Sequence, residues 1–323
     1  MSLRLHSLAR AIGSSVLLAS LAMFVAAAPR TGAPHYLQLP VPKKIEWPAQ
    51  SWEGDQQPHT LAVVEYDREG YRYWGWYGLN QGRGMGLARS NDLFHWTKFE
   101  GNPLLTNARW PSVVKALDAE RHETLFFAIT RDYDTPSSRI ALATSADGKH
   151  LTEIKNLVPP APDQRNQNPN LYQDPPTRQF ILTFYRGNDR DSFDIVSKRA
   201  DAVDSIDQAP EHLLMHAAET IAAPTLLYVP HAGPAREPLY YLTTEIFPNR
   251  YDQANEGEWQ VRVYASAHAE GPFTPVAGNP VQVGGRACLF QHIFVGKYYG
   301  YQSRLDPKTD RWDMEVLEAS LPK

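Results

Sequence analysis

The sequence predicts an all-β chain that folds as one five-bladed β-propeller, and three observations support this prediction. Short runs of aromatic and β-branched residues are separated by Gly, Asn, Asp and Pro, which is typical of consecutive antiparallel strands. A set of four such runs lies between Gln57 and Leu105 and then returns along the chain at a steady spacing. No long amphipathic helical pattern interrupts the series.

The spacing is set by prolines that precede an apolar run in each repeat. Pro58, Pro111, Pro169 and Pro224 are separated by 53, 58 and 55 residues. A fifth copy, which lacks the proline, covers residues 288–294. Four-stranded sheets repeated around a channel form a propeller, in which most sheet edges are protected. We therefore expect blades to begin near residues 57, 110, 168, 223 and 287, with each heading proline at the first position of its strand.

The ends of the chain are expected to close the ring. Residues 312–319 alternate in the manner of a strand, and residues 45–52 contain the only candidate strand before the first repeat. Because an unpaired terminal sheet frays, we expect residues 45–52 to complete the last blade.

Residues 1–28 resemble a secretory signal peptide. Arg4 and Arg10 precede an apolar run at 12–24, and three alanines at 26–28 provide a small-residue cleavage site. A single membrane anchor is the alternative, but the run is shorter than the roughly 20 residues that a span needs. We predict a mature domain at 29–323, released into the periplasm or secreted, with no membrane association.

Charge and cysteine content narrow the range of partners. Without residues 1–28 the chain has 30 basic and 36 acidic groups, a net charge of −6 with histidine neutral. A mildly acidic chain without a Lys/Arg cluster argues against nucleic acid as partner. The single cysteine, Cys288, lies in an apolar run and is interpreted as a small buried residue. A neutral ligand and a monomer are expected.

The outer part of the first repeat carries a recognisable motif. It reads Ser90-Asn91-Asp92-Leu93-Phe94-His95-Trp96, followed by Asn102-Pro103, with weaker versions at 145–148 and 266–273. This element resembles the five-bladed propeller glycosidases of glycoside hydrolase family 43 and their invertase-like relatives. The resemblance implies the propeller fold, since the motif belongs to the scaffold of those enzymes. Because those enzymes are glycosidases, it also implies a carbohydrate ligand.

The resemblance also implies where catalytic carboxylates belong, at the axial start of the first strand of successive blades. The matching positions here are Gln57, Ser112 and Ala223, and Asn168 matches the blade-three carboxylate of the invertase-like relatives. None of these side chains exchanges a proton near neutral pH. The axial histidine of blade five has a match in His292.

Three displaced acids are candidates for catalysis, because ordinary glycoside hydrolysis needs two carboxyl groups. Glu219 precedes the apolar residues 221–223, which would favour the neutral carboxyl of a proton donor. Asp55 lies in a polar loop and is the candidate base, with a solvated loop acid as the alternative. Glu245 ends an apolar run and is the reserve for either role.

Other polar and aromatic residues are candidates for sugar binding. Amides and arginine bond hydroxyl groups, and an aromatic face stacks on the apolar side of a sugar ring. For Trp110 the alternative is a core residue between blades, and for Asp132 it is an ion pair with Arg131 or Arg139. The predicted substrate-binding residues are Gln57, His59, Trp110, Asp132, Asn168, Asn170, Arg186 and His292.

No cofactor is expected, because the sequence has no zinc-type Cys/His spacing and no acidic calcium loop. The family resemblance alone would suggest a Ca²⁺ ion on the axis near His292. The sequence thus predicts a secreted glycoside hydrolase that acts on a poly- or oligosaccharide through a pocket at the propeller axis. A catalytically inactive carbohydrate-binding propeller is the main alternative, and a protein-interaction scaffold is a third.

Overall fold

The computed structural model describes residues 42–81, 84–187, 193–248, 259–283, 289–306, 309 and 311–321. The predicted signal peptide, Cys288 and the predicted blade start at 287 lie outside these residues. The described strands form five antiparallel sheets of four or five strands each, which confirms the five-bladed all-β fold. Within the described ranges, no helix is long and apolar enough to cross a membrane.

The first three blades follow one another along the chain, each as an antiparallel meander. A short strand, β1 (Lys43–Lys44), precedes them. Blade one contains β2 (Pro58–Arg68), β3 (Tyr71–Leu79), β4 (Gly84–Ser90), β5 (Thr97–Lys98) and β6 (Leu105–Thr106). Blade two contains β7 (Ala108–Leu117), β8 (Glu123–Arg131), β9 (Arg139–Ser145) and β10 (Thr152–Val158). Blade three contains β11 (Arg165–Gln173), β12 (Phe180–Gly187), β13 (Phe193–Ala200) and β14 (Glu211–Ala217).

The last two blades complete the ring. Blade four contains β15 (Thr220–Val229), β16 (Leu239–Phe247), β17 (Gln260–Ser266), β18 (Thr274–Pro275) and β19 (Gln282–Val283). Blade five contains β20 (Phe290–Phe294), β21 (Lys297–Asp306) and β22 (Arg311–Ser320). Its fourth strand is β1, in which Lys43 lies opposite Val316.

The expected closure by both termini is present, but the N-terminal strand lies earlier than predicted. After β1, the Ile45 amide donates to the Met314 carbonyl at 2.7 Å, and the Ile45 side chain is buried. Residues Ser51–Glu53 form a 3-10 turn instead of a strand. Pro48, which lacks an amide hydrogen, stands between the two and cannot contribute a ladder bond at that position.

The Ser-x-Asp motif forms the turn that follows the third strand of a blade. In blade one, Ser90 Oγ accepts the amide of residue 93 at 2.9 Å and Asp92 Oδ1 accepts the His95 amide at 2.8 Å. Blade two repeats this arrangement, where Ser145 Oγ accepts the amide of residue 148 and Asp147 Oδ1 accepts that of residue 150. The hydroxyl and carboxylate satisfy backbone donors of the turn, so the motif is structural.

A buried ion pair fastens the N-terminal segment to blade one. The Glu53 carboxylate lies 2.7 Å from the Lys98 ammonium, and their side chains are 1% and 3% exposed. Tyr77 donates its hydroxyl to Glu53 at 2.8 Å, and the Gln50 amide donates at 2.9 Å. Burial lowers the pKa of Lys98, although Glu53 opposes this shift. Since each charge has its partner, the pair tolerates removal from water.

We expect Glu53→Gln to destabilise the protein by about 3–5 kcal/mol, because it leaves the Lys98 ammonium buried without a counter-charge. Urea unfolding followed by tryptophan fluorescence measures the change. Glu65→Gln is the control, since Glu65 pairs with Arg72 at the surface, where such pairs contribute little. Equal effects of the two substitutions would contradict the role given to the buried pair.

Candidate functional site

The inner strands of blades two, three and four share the same distortion within their first few residues. Trp110, Asn168 and Ala223 each directly precede a proline and adopt positive φ values of 47°, 51° and 46°. At each, two residues of the inner strand oppose one residue of the next strand, as in a β-bulge. Only Pro58 begins its strand as predicted, because the other heading prolines sit in these bulges, where their missing amide hydrogen costs no ladder bond.

The bulges store strain at one end of the channel. A non-glycine residue with positive φ is costly, and a following proline restricts it further. Residues with such strained backbone conformations cluster at active sites and ligand-binding sites. Blade one has its own register shift, between Pro58 and Thr60, which places His59 outside the regular ladder. We call the end of the channel that carries Gln57, His59, Trp110, Asn168 and Ala223 the proline-end mouth.

Trp110 is held in a stack of aromatic and cationic groups. The Arg109 guanidinium lies 4.0 Å from the Trp110 ring centroid and 4.1 Å from that of Tyr133. The two rings meet edge to face at 4.9 Å. Within the described ranges, the buried Trp110 Nε1–H has no hydrogen-bond partner. The cation–π contacts fix the indole and leave its donor for another group.

His59 lies beside Trp110, and Gln57 is joined to this pair through Trp312 of blade five. The His59 ring lies 6.4 Å from Trp110 and 4.9 Å from Trp312. The Trp312 amide donates to Gln57 Oε1 at 3.4 Å. The structure thus brings together three of the predicted binding residues, which come from two blades.

Asp132 directly follows the second strand of blade two, and Arg186 lies in the second strand of blade three. Both side chains form ion pairs. Asp132 bonds the Arg139 Nε at 2.9 Å, which is the structural alternative raised from the sequence. Burial opposes ionisation of Asp132, but the bonds from Arg139 and Asn107 lower its pKa. Arg186 donates both terminal nitrogens to Glu211, at 2.5 and 2.7 Å. Both predicted binding residues are therefore engaged in ion pairs.

Four hydrogen-bond contacts join the inner strands of successive blades, from blade two round to blade one. Their side chains are polar groups on four inner strands, namely Ser112, Asn170, Thr225 and His292. Ser112 Oγ accepts the Leu171 amide at 2.8 Å, and Asn170 Oδ1 accepts the Leu226 amide at 3.0 Å. Thr225 donates to the Leu289 carbonyl at 2.9 Å, and His292 Nε2 accepts the Val63 amide at 3.4 Å. We call this set the inter-blade ring.

His292 is a neutral acceptor in this ring. Burial in the channel lowers its pKa to about 4, because the charged imidazolium loses its hydration there. Its ring stacks on Phe294 at 5.5 Å. Asn170 and His292, both predicted to bind substrate, thus make contacts that hold blades together.

The candidate catalytic acids of blade four lie on opposite faces of the sheet. Glu219 is bound by both terminal nitrogens of Arg262, at 3.1 and 3.2 Å, and Arg262 lies opposite Thr244. Glu245 is the next residue of β16 and lies opposite Ala222. Successive residues of a strand point to opposite faces. The Arg262–Glu219 pair and Glu245 are therefore separated by the sheet.

The three acids also differ in solvent exposure. Asp55 is exposed in the loop before β2, and its carbonyl accepts a bond from the Gln57 side chain. Glu219 is partly exposed, whereas Glu245 is 3% exposed. In the described part of the chain, no three His, Cys, Asp or Glu side chains are grouped to hold a metal ion.

Sequence reasoning missed Arg109, Tyr133 and Trp312. Arg109 directly precedes Trp110, but alternation along a strand suggests that neighbours diverge. The bulge at Trp110 breaks this alternation and allows the stack. Trp312 was recognised only as part of a strand, since its contact with His59 spans the ring closure.

Solved structures share this architecture. A thermostable family-43 glycoside hydrolase matches with a TM-score of 0.63 and 13% identity, covering 82% of this chain and 89% of that chain. An N-acetylgalactosamine deacetylase from F. plautii, in complex with blood group B trisaccharide, matches with a TM-score of 0.60 and 16% identity, covering 86% and 93%. An alpha-L-arabinanase from Cellvibrio cellulosa, complexed with arabinohexaose, gives 0.55 and 13%, covering 81% and 92%.

The similarity concerns the fold. No family model matches this chain, and no curated protein does. The structural resemblance to family-43 glycosidases expected from the sequence is confirmed, and the chain has a glycoside hydrolase-like fold. Because these identities are low, the similarity shows the fold alone, and the activity named for each matched protein is stated of that protein only.

The neutral state of His292 predicts a stability loss on mild acidification. Its ordinary pKa of 6.5 applies to the unfolded chain, whereas the folded value is about 4. The unfolded chain therefore binds more protons between these values, so stability falls as the pH drops from about 6.5 toward 4. We expect His292→Gln to reduce the stability lost between pH 7 and pH 5 by about 2 kcal/mol. Urea unfolding at several pH values measures it, and an unchanged slope would contradict the account.

Proposed function

We propose that the protein binds a poly- or oligosaccharide at the proline-end mouth. The observation that carries this proposal is the immobilised Trp110, whose indole is stacked on Arg109 and whose buried N–H has no partner among the described residues. A fixed aromatic ring whose N–H has no partner in the described part of the chain suits a sugar, since one face of the sugar is apolar and its edge carries hydroxyl groups.

The neighbouring side chains support the same ligand class. Gln57 and Asn168 offer amides, and His59 adds an imidazole beside Trp110. These neutral groups bond hydroxyls without selecting for charge. Two of the matched structures are complexes with a trisaccharide and with arabinohexaose, which agrees with a carbohydrate ligand. With the predicted signal peptide, the proposal is a protein that acts in the periplasm or outside the cell.

Hydrolysis of the bound glycan is the second candidate, and Glu245 favours it. This carboxyl is buried beside Ala222, one residue before the strained Ala223. Burial suits a proton donor. We propose Glu245 as the acid and the exposed Asp55 as the base. Glu219, which the sequence favours as the acid, has both oxygens engaged by Arg262 and is the reserve.

Trp110→Ala tests the sugar site. We expect it to weaken binding at least about fivefold, because the contact energy of an aromatic ring is of the order of 1 kcal/mol or more. The backbone should tolerate alanine, since Ala223 already adopts the same φ in blade four. Isothermal calorimetry with arabino-, xylo- and galacto-oligosaccharides measures affinity.

Trp110→Phe is the matched control for this test, because it keeps a smaller aromatic ring over Arg109 and removes the N–H. Intermediate affinity is expected. If Trp110→Ala binds an oligosaccharide as tightly as the unaltered protein, Trp110 is not part of the site.

Glu245→Gln and Glu219→Gln together test hydrolysis. If the protein releases reducing ends from any of these glycans, Glu245→Gln should lower turnover by about 10²-fold, the typical contribution of a general acid. Glu219→Gln should have the smaller effect. The reverse order would restore Glu219 as the acid. Tight binding without turnover in the unaltered protein would establish the binding module instead.

A further inference from the structure

A cavity of about 680 Å³ occupies the part of the channel away from the proline-end mouth. Its walls come from the later residues of the five inner strands: 62–65, 112–115, 170–173, 227–228 and 290–294. None of the five residues that define the proline-end mouth lines it. We call this space the far-end cavity. Its volume lies in the range typical of small-molecule sites, roughly 300–1,000 Å³.

The inter-blade ring forms the inner end of the far-end cavity. Ser112, Asn170 and His292 line it and also bond the next blade. These bonds lock the inner strands at that level of the channel. The far-end cavity therefore has a rigid polar floor, a property of preformed ligand sites.

The walls beyond the floor are apolar and aromatic. Val64, Val114 and Ile293 contribute aliphatic surface, and Phe294 contributes a ring. The Tyr172 hydroxyl accepts the Tyr228 amide at 3.0 Å. A ligand would therefore contact mainly the aromatic face of Tyr172. Such walls favour a ligand with an apolar body.

The charged groups at the rim are already compensated. Glu65 pairs with Arg72 at 2.8 Å, and Lys115 pairs with Glu123 at 3.3 Å. Both pairs lie in the part of the wall toward the ends of β2 and β7. A charged ligand would have to be desolvated without gaining an uncommitted counter-charge among these groups. The rim therefore favours a neutral ligand.

His292 supplies a directional contact. Its Nε2 accepts the Val63 amide, so in the neutral ring the proton resides on Nδ1. Within the described ranges no hydrogen bond from Nδ1 is found, and the ring lines the far-end cavity. An N–H donor beside an apolar wall calls for an acceptor on the ligand.

We propose that the far-end cavity is a second ligand site, separate from the proline-end mouth, for a neutral small molecule with an apolar or aromatic body and one carbonyl or ether oxygen. The apolar body packs against Val114, Ile293 and the aromatic rings. The oxygen accepts the hydrogen bond of His292.

The probe for this proposal is 6-propionyl-2-dimethylaminonaphthalene, a flat neutral fluorophore with one carbonyl. Titrated into the full chain, it should show saturable, blue-shifted emission. Val114→Phe places a ring in the far-end cavity and should weaken binding at least about tenfold, because the ring takes the space of the ligand. Leu117→Phe is the matched control on the same strand, since Leu117 is 58% exposed and lies outside the cavity lining.

His292→Phe tests the directional contact, because it keeps an aromatic ring and removes the donor. We expect probe affinity to fall about fivefold to tenfold, the usual effect of one lost hydrogen bond. A thermal melt verifies that the variant is folded. In a parallel titration with a naphthalene that lacks the carbonyl, the unaltered protein and His292→Phe should bind with equal affinity.

Three outcomes would overturn the proposal: absence of saturable binding, equal weakening by Val114→Phe and Leu117→Phe, or displacement of the probe by an oligosaccharide. The last would make the far-end cavity part of the sugar site. Oligosaccharide affinity of Val114→Phe, measured separately, should equal that of the unaltered protein. Failure of the far-end site therefore leaves the test of the proline-end mouth intact.

Discussion

The strained residue before the proline is the constraint on which the proposed site depends. In a regular strand, neighbouring side chains diverge to opposite faces of the blade. The bulges at Trp110, Asn168 and Ala223 interrupt that alternation at the same level in three blades. This geometry lets Arg109 and Tyr133 hold Trp110 in place. A residue expected to be either a core residue or a ligand contact is therefore buried and has an N–H without a partner among the described residues.

The same strands carry a second, structural level of organisation. A few residues after the bulges, the inter-blade ring ties the inner strands together from blade two round to blade one through Ser112, Asn170, Thr225 and His292. Ser112, for which the family resemblance would imply a carboxylate position, is part of this ring. Polar side chains on the axis thus hold the blades together, and the sugar site proposed at the proline-end mouth depends on a different set of residues.

The architecture was predictable because it is repeated. Four prolines at near-equal spacing and a recurring Ser-x-Asp turn each report on local backbone geometry, and five copies reinforce one another. The site was less predictable because it depends on contacts across the ring. The Arg262 partner of Glu219 follows it by 43 residues, and Trp312 reaches His59 only after the ends of the chain meet. Glu219 and Glu245 lie on opposite faces of blade four. Their spacing in the sequence does not indicate this.

The indole N–H resonance of Trp110 gives the most direct test of the sugar-binding site. In a ¹H–¹⁵N spectrum its signal is assigned by its loss in Trp110→Phe, and Trp74, fully buried between blades, serves as the internal reference. The account predicts that titration with a recognised oligosaccharide shifts the Trp110 signal in a saturable manner and leaves the Trp74 signal in place. Saturable glycan binding that leaves the Trp110 signal unmoved would contradict the placement of the site at the proline-end mouth.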